Sequence, residues 1–358
     1  MIHKNKTYII AEVGINHNGS LDNCLRLIDV SAAAGCDCVK FQYFRAAGLY
    51  PRSAGKLDWQ DKNKKYSYDI YSAVESFEMP PSWIRPVVDY CRKKRIDFLA
   101  SVFDRQGVDF LISHGMRAIK IASTALTNIP LLEHCARFKL PLIVSTGAAT
   151  LSEIEEAVAC INKFHDKIWL LQCTLKYPAA PQQCNLGAIK TLKSAFPGCG
   201  AGFSDHTALV SRAAVQAVYL GAGIIEKHIT LDKQMPGPDH FFALEPEELK
   251  QMVREIRTAE KKKNRGAPID RVLYGSTEKK VFEYERYLRD FCYMAIYAKN
   301  DILKDSRIKC GDLAILRPGK KPRGIDPKYM EFFKEFRVFS PVNIKKGSPV
   351  TWRAIFHE

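Results

Sequence analysis

The chain has 358 residues, 46% of them apolar and 26% charged, which is typical of a soluble globular protein of about two domains. Its 11 cysteines, an odd number with no Cys-x-x-Cys pair, argue against a disulfide framework. The sequence shows no signal peptide and no apolar run of about 18 residues, which predicts a cytoplasmic protein without a membrane segment. The formal net charge of +15 is not accompanied by an aromatic-interleaved basic module, so we expect no nucleic-acid binding. We expect the basic residues to lie on solvated helix ends and loops, where they would also steer anionic substrates.

Short apolar strands alternate with amphipathic helices along most of the chain. Gly35 and Gly115 mark helix ends, and residues 150–153 fit a capping box. Eight such units in about 260 residues predict a closed (β/α)8 barrel. An open doubly wound sheet would place a glycine-rich dinucleotide turn after its first strand, and residues 14–19 do not fit one. The predicted strands are 8–13, 38–42, 98–103, 118–122, 142–145, 168–173, 200–204 and 223–228, and the predicted helices lie near 20–34, 81–95, 104–114, 129–138, 151–164, 185–196, 207–221 and 245–263.

Polar side chains follow every predicted strand, and barrel enzymes place their chemistry at the carboxyl ends of the strands. Lys40 and Lys120 end apolar strands, where a buried ammonium group must find an anion. With the neighbouring serines they predict a seat for a phosphate and a carboxylate, whereas lysines that extend to solvent at the barrel mouth are the alternative. The strand-end residues are Glu12, Lys40, Gln42, Ser101, Lys120, Ser123, Ser145, Thr146, Thr174, Tyr177, Ser204, His206, Glu226 and His228.

Two successive strands each end close to a histidine, His206 and His228. If the two strands are neighbours in a parallel sheet, both imidazoles can point at one ion, and neutral imidazole is the commonest nitrogen ligand of divalent transition metals. Asp205, Glu226 and Asp239 would place oxygen atoms nearby. The pattern therefore predicts a metal site, and two ordinary hydrogen-bonded histidines are the alternative.

The chain pattern changes twice outside the regular units. A long gap between the second and third predicted strands, residues 45–79, is typical of a loop that covers a ligand or a subunit contact. After the eighth helix we expect a polar linker and then a small, mostly β domain with strands at 291–298, 312–316, 338–339 and 350–355. The predicted domains are residues 1–265 for the barrel, 266–288 for the linker and 289–358 for the small domain.

A series of short motifs runs in order along nearly the whole chain. They are IAEVGINHNG at 10–19, VKFQ at 39–42, KIAS at 120–123, STG at 145–147, CT at 173–174 with YP at 177–178, GFSDHT at 202–207, EKH at 226–228, PGPD at 236–239 and LRPG at 316–319. In content and order they resemble the N-acetylneuraminate synthase family, which comprises the sialic, legionaminic and pseudaminic acid synthases.

The resemblance implies a TIM barrel followed by an antifreeze-like (SAF) domain, in a domain-swapped homodimer in which the small domain of one chain caps the partner's barrel. It implies a transferase of polysaccharide biosynthesis that condenses phosphoenolpyruvate with an N-acyl amino-sugar aldehyde, either N-acetylmannosamine-like or a 2,4-diacetamido-trideoxy hexose. The products would be a nine-carbon 2-keto-3-deoxy acid and phosphate. A divalent metal, typically Mn²⁺ with Mg²⁺ or Co²⁺ as alternatives, would activate the aldehyde.

The resemblance also assigns roles to the residues that match the motifs. His206 and His228 correspond to the metal ligands. Arg317 matches an arginine that reaches the partner's sugar across the dimer, and Phe291 lies where an aromatic side chain lines the acyl pocket. The predicted catalytic residues are Glu12, Lys40, Lys120 and Glu226, and the predicted substrate-binding residues are Gln42, Asn63, Ser101, Ser123, Ser145, Tyr177, Ser204, Asp239, Phe291 and Arg317.

Two positions depart from the family pattern. The family normally has a glutamate, implicated in proton transfer, where this chain has Ala125, and a small polar residue is common where this chain has Leu175. We predict a modified sugar pocket in which Glu12, Glu226 or water supplies the missing acid–base function.

Two other functions remain open from the residues. A different phosphoenolpyruvate-dependent keto-acid synthase acting on a phosphorylated sugar would need extra arginines at the barrel mouth, for which Arg45 and Arg52 are candidates. A catalytically weakened sugar-binding homologue would explain Ala125, but not why the two histidines and the two lysines are kept together.

Overall fold

The computed structural model describes residues 6–61, 64–262 and 268–356, and its centre is a closed barrel of eight parallel strands. The barrel strands follow one another in chain order, and the last pairs with the first, as the sequence predicts. The strands are β1 (Tyr8–Gly14), β2 (Cys38–Tyr43), β3 (Lys56–Asp61), β4 (Lys64–Asp69), β5 (Asp97–Val102), β6 (Ile119–Ile121), β7 (Leu142–Ser145), β8 (Ile168–Cys173), β9 (Gly200–Asp205), β10 (Ile224–His228), β11 (Ala295–Ala298) and β12 (Leu313–Leu316).

Helices cover the outside of the barrel and bury their apolar stripes against it. In the first of them, Leu27 and Ile28 are fully buried, and the Ser20 side chain caps the amino terminus by accepting from the Asn23 amide. No helix within the described ranges is long and apolar enough to cross a membrane. The helices are α1 (Leu21–Ala33), α2 (Ala46–Leu49), α3 (Ile70–Ser76), α4 (Pro81–Lys94), α5 (Arg105–Ser113), α6 (Ile129–Ala136), α7 (Leu151–Asn162), α8 (Ala188–Ala195), α9 (Arg212–Tyr219), α10 (Pro246–Lys262), α11 (Arg271–Tyr274), α12 (Glu283–Cys292) and α13 (Met330–Glu335).

Side chains alternate between the two faces of each barrel strand, so the charged residues of β9 and β10 lie on opposite faces. Ser204 donates a hydrogen bond to Glu226, so these two residues share one face. Lys227 lies on the opposite face and bonds the Asp205 carboxylate at 2.9 Å and the Thr207 carbonyl at 2.6 Å. Asp205 is therefore held in an ion pair on the outer face, and the expectation that it places an oxygen near the metal site is wrong.

The long gap between the second and third barrel strands contains regular structure, whereas the sequence analysis treated it as a loop. It holds α2, the antiparallel hairpin of β3 and β4, and α3. Leu57, Trp59, Tyr66 and Tyr68 alternate with polar residues in the two strands. This period of two is the signal that could have predicted the hairpin.

The carboxyl-terminal part has its own hydrophobic cluster, which includes Ile296, Ile308, Phe333 and Val350. β11 and β12 pair in an antiparallel two-stranded sheet. The predicted strand at 291–298 is shorter, because α12 continues to Cys292. The strand predicted at 338–339 is reduced to a single bridge, and that at 350–355 is wrong, because a 3₁₀ helix occupies Trp352–Ala354. The predicted linker contains α11 and the start of α12.

We expect Thr150→Ala to lower the free energy of unfolding by about 1 kcal/mol. The predicted capping box is confirmed: the Thr150 side chain accepts from the Glu153 amide, and the Glu153 carboxylate accepts from the Thr150 amide at 2.8 Å. Urea unfolding would measure the loss, with Thr258→Ala, an exposed position inside α10, as the control that leaves every helix end unchanged. An unchanged midpoint for Thr150→Ala would contradict the role of the cap.

Candidate active site

The carboxyl ends of three adjoining strands bring Glu12, Lys40 and His228 to one level of the barrel. β1 lies between β2 and β10, and its Glu12 is in register with Lys40 on one side and with His228 on the other. Gly14 follows with a φ of +56°, and a Cβ atom at that position would come within 3.2 Å of Glu12 Oε1. A glycine therefore lets the chain turn away directly behind the carboxylate.

Lys40 is the centre of a buried polar network. Its Nζ atom lies 2.6 Å from Glu12 Oε2 and 3.6 Å from Glu226 Oε2, and it donates a 2.9 Å hydrogen bond to Ser101 Oγ. Gln42 donates to the other oxygen of Glu12 at 3.3 Å. Lys40 is only 2% exposed, so the alternative that this lysine extends to solvent is wrong.

Lys120 forms a second arm of the same network. Its Nζ atom donates a 2.7 Å hydrogen bond to Ser145 Oγ and lies 3.6 Å from Glu226 Oε1, which also accepts from Ser204 Oγ at 2.9 Å. Lys120 is also 2% exposed. Two carboxylates and two ammonium groups thus alternate in the barrel mouth, and we call them the charged quartet: Glu12, Lys40, Glu226 and Lys120.

The environment gives the two carboxylates of the charged quartet different proton affinities. Burial raises the pKa of Glu12 to about 7, against the opposing effect of Lys40. Burial also acts on Glu226, but the ammonium groups of Lys120 and Lys40 hold the pKa of Glu226 below its usual value. Burial lowers the pKa of Lys120. Near neutral pH, Glu12 is therefore the member of the quartet that exchanges a proton, while Glu226 remains ionised.

Ser123 follows β6 and lies next to the loop after β7. Its Oγ atom accepts a 2.9 Å hydrogen bond from the Gly147 amide. A Cβ atom at residue 147 would lie 3.0 Å from Ser123 Oγ and 3.2 Å from Cys173 Sγ, so a glycine permits the close approach of the two loops. The predicted substrate-binding serines are all buried at one end of the barrel: Ser101, Ser123, Ser145 and Ser204.

The two predicted metal ligands face each other. The ring centroids of His206 and His228 are 5.7 Å apart, and Tyr177 packs over His206 at 4.2 Å. His206 Nδ1 lies 2.7 Å from the Thr174 carbonyl and therefore carries a proton, and Nε2 lies 3.9 Å from Cys173 Sγ. Burial and the nearby His206 hold the pKa of His228 well below its usual value, so this ring is neutral.

Asp239 lies beside the histidines because its loop is tied to the loop after β1. Asn18 donates from Nδ2 to the Pro236 carbonyl and pairs through Oδ1 with His240 Nε2 at 3.0 Å. Asp239 Oδ2 is 3.8 Å from His228 Nδ1, and burial raises the pKa of the Asp239 carboxyl to about 6. The polar stretch after β1 thus positions a carboxylate that lies more than 200 positions later in the sequence.

The residues present fit a divalent metal in part. The buried Nδ1 atom of His228 has no hydrogen-bond partner and this ring is neutral, whereas the effect of burial on His206 is outweighed by the nearby Cys173, which raises the pKa of His206, so a metal would compete with a proton at that ring. Among the residues that the structure describes, no group of three or more His, Cys, Asp or Glu side chains is arranged to hold a metal by itself. A metal at these histidines would therefore take its other ligands from substrate or water.

Arg317 enters the barrel mouth of its own chain. Its Nη2 atom donates a 2.9 Å hydrogen bond to Thr124 Oγ1, and the guanidinium lies over the rings of Phe103 and Tyr50, with distances of 5.0 and 5.8 Å to the ring centroids. Phe291, only 8% exposed, packs against Tyr50 at 6.2 Å. That Arg317 serves a partner's barrel in a dimer stays a prediction.

The positions that depart from the family pattern are both buried. Ala125 has no exposed surface and packs in the main hydrophobic core, whereas Leu175 packs with Ala148 and Tyr293. Arg45 bonds Glu78 at 3.3 Å, and Arg52 is exposed and lies 4.5 Å from the centroid of the Tyr71 ring. Asn63, predicted to contact the sugar, lies outside the described residues.

Sequence reasoning missed several residues that line the site. Thr124 and Tyr50 hold Arg317, and Cys173 Sγ lies 3.7 Å from His206 Nδ1. Thr124 directly follows the motif at 120–123 and could have been found by extending it by one position, whereas Cys173 belongs to a quoted motif but was given no role. Tyr50 lies in the long gap and carries no comparable signal.

Comparison with known proteins assigns the family. The NeuB family model matches residues 27–267. The spore coat polysaccharide biosynthesis protein SpsE of Bacillus subtilis is 42% identical over 90% of this chain and 87% of its own length. The N,N'-diacetyllegionaminic acid synthase of Legionella pneumophila is 37% identical over 97% of this chain and 94% of its own length.

Solved structures agree with the sequence comparison. The crystal structure of SpsE from Bacillus subtilis, 40% identical, superposes with a TM-score of 0.86 over 99% of this chain and 96% of that chain. The N-acetylneuraminic acid synthetase of Leptospira borgpetersenii serovar Hardjo-bovis, 34% identical, gives a TM-score of 0.66 over 72% of this chain and 85% of that chain. The resemblance drawn from the motifs is confirmed, and the chain belongs to the NeuB family.

Proposed function

We propose that this enzyme condenses phosphoenolpyruvate with an N-acyl amino-sugar aldehyde to give a nine-carbon 2-keto-3-deoxy acid and phosphate. The observation that carries the proposal is the buried charged quartet beside the facing imidazoles of His206 and His228 at one end of the barrel. Relatives named N,N'-diacetyllegionaminic acid synthase, N-acetylneuraminate-9-phosphate synthase and pseudaminic acid synthase support the same reaction class.

The lysines and serines provide the seat for phosphoenolpyruvate. Lys40 and Lys120 each hold a serine hydroxyl at hydrogen-bond distance, Ser101 and Ser145 respectively. Phosphate and carboxylate oxygens accept strong, charge-assisted hydrogen bonds from such groups. Because Glu226 lies 3.6 Å from both ammonium groups, it fixes the spacing of the two cations before the substrate arrives.

The acceptor aldehyde would lie on the histidine side of the mouth. A divalent cation bound by His206 and His228 would supply Lewis-acid polarisation of the aldehyde oxygen. The C3 carbon of phosphoenolpyruvate then forms the new carbon–carbon bond, water adds at C2, and phosphate leaves with cleavage of the C2–oxygen bond as the keto group forms. We assign sugar binding to Tyr177 and Asp239. Tyr177 is 39% exposed and packs on His206.

Glu12 is the group that this mechanism needs for proton transfer. The water that adds at C2 must lose a proton, and a carboxylate whose pKa is close to the operating pH is an efficient acceptor. Burial places the pKa of Glu12 at about 7, and Lys40 holds its carboxylate in place at 2.6 Å. We therefore assign the role of general base to Glu12. Glu12 would then supply the proton transfer for which the family uses a glutamate at the position of Ala125.

We expect Glu12→Gln to lower kcat/KM roughly 10²-fold and to remove the fall in activity on the acid side of the pH profile. In the wild-type enzyme the carboxyl must be deprotonated to accept a proton, so activity should rise as the pH increases through about 7. Phosphate release measured from pH 5 to 9 checks both expectations. Glu247→Gln, an exposed change on α10, is the matched control and should keep the wild-type profile. A fall in activity on the acid side that persists in Glu12→Gln would remove Glu12 from this role.

A phosphate-release assay tests the proposed function. The purified chain is given phosphoenolpyruvate, Mn²⁺ and one of a panel of aldehydes: N-acetylmannosamine, its 6-phosphate and 2,4-diacetamido-trideoxy hexoses. We expect release of phosphate with an unphosphorylated acceptor and a product whose mass equals the sum of acceptor and pyruvate. Release only with the 6-phosphate would favour a phosphorylated-sugar synthase. No release from the wild type, together with release by Ala125→Glu, would indicate a degenerate enzyme.

A further inference from the structure

A cavity of about 330 Å³ lies at the amino-terminal ends of the barrel strands, and we call it the lower cavity. Three of its lining residues, Tyr8, Cys38 and Asp97, are the first residues of β1, β2 and β5. The charged quartet lies at the carboxyl ends of the strands, so the lower cavity is at the end of the barrel opposite to the candidate active site. Its volume is at the small end of the range of about 300–1,000 Å³ that is usual for small-molecule sites.

Arginine side chains give the lower cavity its charge. Among the described residues that line it, Arg92, Arg95 and Arg117 face one carboxylate, that of Asp97. This carboxylate already accepts a 2.6 Å hydrogen bond from the Tyr8 hydroxyl. The lining therefore carries a net positive charge, which favours an anionic ligand.

Two of these arginines have no partner within the protein. In the part of the chain that the structure describes, the guanidinium groups of Arg95 and Arg117 make no ion pair, hydrogen bond or ring contact. The lysine beside Arg95 is engaged elsewhere, because Lys94 pairs with Asp29 at 2.5 Å and lies over the Tyr90 ring. Arg95 and Arg117 thus keep all of their side-chain donors for a ligand.

The backbone brings the arginines to the lower cavity at two helix ends. Arg95 ends α4 with a φ of +56°, in the left-handed region where a glycine would be unstrained. After α5, a Cβ atom at Gly115 would lie 2.6 Å from Arg92 Nη2, so the glycine lets this guanidinium lie close to the chain that leads to Arg117. A strained arginine where glycine would be easier is the kind of feature that is found at functional sites.

The remaining wall of the lower cavity is mostly apolar. Val88 of α4, Leu99 of β5 and Ile143 of β7 line it together with the partly exposed ring of Phe98. An inorganic anion on the arginines would leave this surface in contact with water. An organic anion would cover it and gain free energy from the buried apolar area.

We propose that the lower cavity binds a small organic anion, whose phosphate or carboxylate group is held by Arg95 and Arg117 and whose apolar part packs on the wall beside Phe98. A guanidinium group can bind either kind of anionic group through two parallel hydrogen bonds. The proposal does not depend on the proposed function, because none of these residues belongs to the charged quartet or to the histidine pair.

Calorimetric titration of the full chain with simple probes tests the chemistry of the ligand. Phenyl phosphate and phenylacetate each carry a ring with one of the two anionic groups, phenol lacks the anion, and inorganic phosphate lacks the ring. We expect the tighter-binding of the two ring anions to exceed both phenol and inorganic phosphate in affinity by at least about 10-fold. The difference between phenyl phosphate and phenylacetate shows which anionic group is preferred. Inorganic phosphate that binds as tightly as the ring anions, or ring anions that do not bind, would overturn the proposal.

Variants of the arginines test where the anion binds. Arg95→Gln/Arg117→Gln should weaken the binding of the preferred ring anion at least about 10-fold, and each single variant should show part of the loss. Both side chains are exposed and without a partner, so the fold should be kept, which the melting temperature without ligand checks. Arg85→Gln, which removes an exposed arginine of α4 that pairs with Asp89 at 2.7 Å, is the matched control and should bind as the wild type does.

A change in the candidate active site distinguishes the two ends of the barrel. Lys120→Met lacks one of the cations that we assign to phosphoenolpyruvate, and it should retain the binding event that Arg95→Gln/Arg117→Gln loses. If all binding of the ring anion were lost in Lys120→Met, or if all of it survived in Arg95→Gln/Arg117→Gln, the anion would bind outside the lower cavity and the proposal would be overturned.

Discussion

Lys120→Met is expected to lower kcat/KM for phosphate release at least about 10³-fold. The change removes an ammonium group that donates to Ser145 at 2.7 Å and lies 3.6 Å from Glu226, and methionine keeps most of the side-chain volume. The loss should fall on both kinetic constants, because the lysine binds the phosphoenolpyruvate anion and also stabilises the charge of the departing phosphate.

Two further variants separate charge from folding in this prediction. Lys120→Arg keeps the charge but not the geometry and should fall between the wild type and Lys120→Met. Lys167→Met, which removes an exposed lysine that bonds the Lys139 carbonyl at the opposite end of the barrel, should retain wild-type activity. Circular dichroism and the melting temperature check the fold of each variant. A fully active Lys120→Met enzyme would show that the anion binds elsewhere.

His228→Ala is expected to abolish metal binding and to reduce activity about 10³-fold. The Nδ1 atom of His228 is buried without a hydrogen-bond partner, so the side chain is available as a ligand and its removal leaves His206 alone. Metal content measured by mass spectrometry after dialysis, and activity before and after chelation, test this together. In the wild type, chelation should remove activity and Mn²⁺ should restore it.

The outer histidine His134 provides the matched control for the metal prediction. It pairs with Asp109 at 2.6 Å on the helical layer, away from the barrel mouth. His134→Ala should therefore keep both the metal and the activity. If His228→Ala bound as much metal as the wild type, the imidazole pair would not be the metal site.

The barrel was predictable because its strands are buried on both faces and therefore form short apolar runs between helices of regular period. β7 and β8 have the same limits in the sequence prediction and in the structure, and most other barrel strands agree within one residue at each end. The strand ends were also predictable, since any polar residue there must lie at the mouth. Glu12, Lys40, Lys120 and Glu226 were found in this way.

Other parts of the site could not be predicted from the sequence. The sequence showed that Leu175 departs from the family motif, in which a small polar residue is common. Only the packing of Tyr293 against Leu175 shows why an apolar residue is present. Arg317 was identified by its motif, yet the motif does not show that its guanidinium contacts Thr124 and lies over Phe103 and Tyr50. Residues 266–288 look like a polar linker in the sequence, because α12 has few buried residues and one of them is a carboxylate, Glu285.

The double hydrogen bond of Glu285 has a consequence for how the enzyme opens. Glu285 belongs to α12, and its Oε1 atom accepts from the amide of Ala148 in the loop after β7 and from the amide of Leu175 in the loop after β8. Both amides therefore keep this partner as long as α12 stays in place. Local unfolding of α12 would free both loops in a single event. The deuterium uptake of these two amides should therefore follow a common time course, set by the same opening equilibrium as the end of α12 itself.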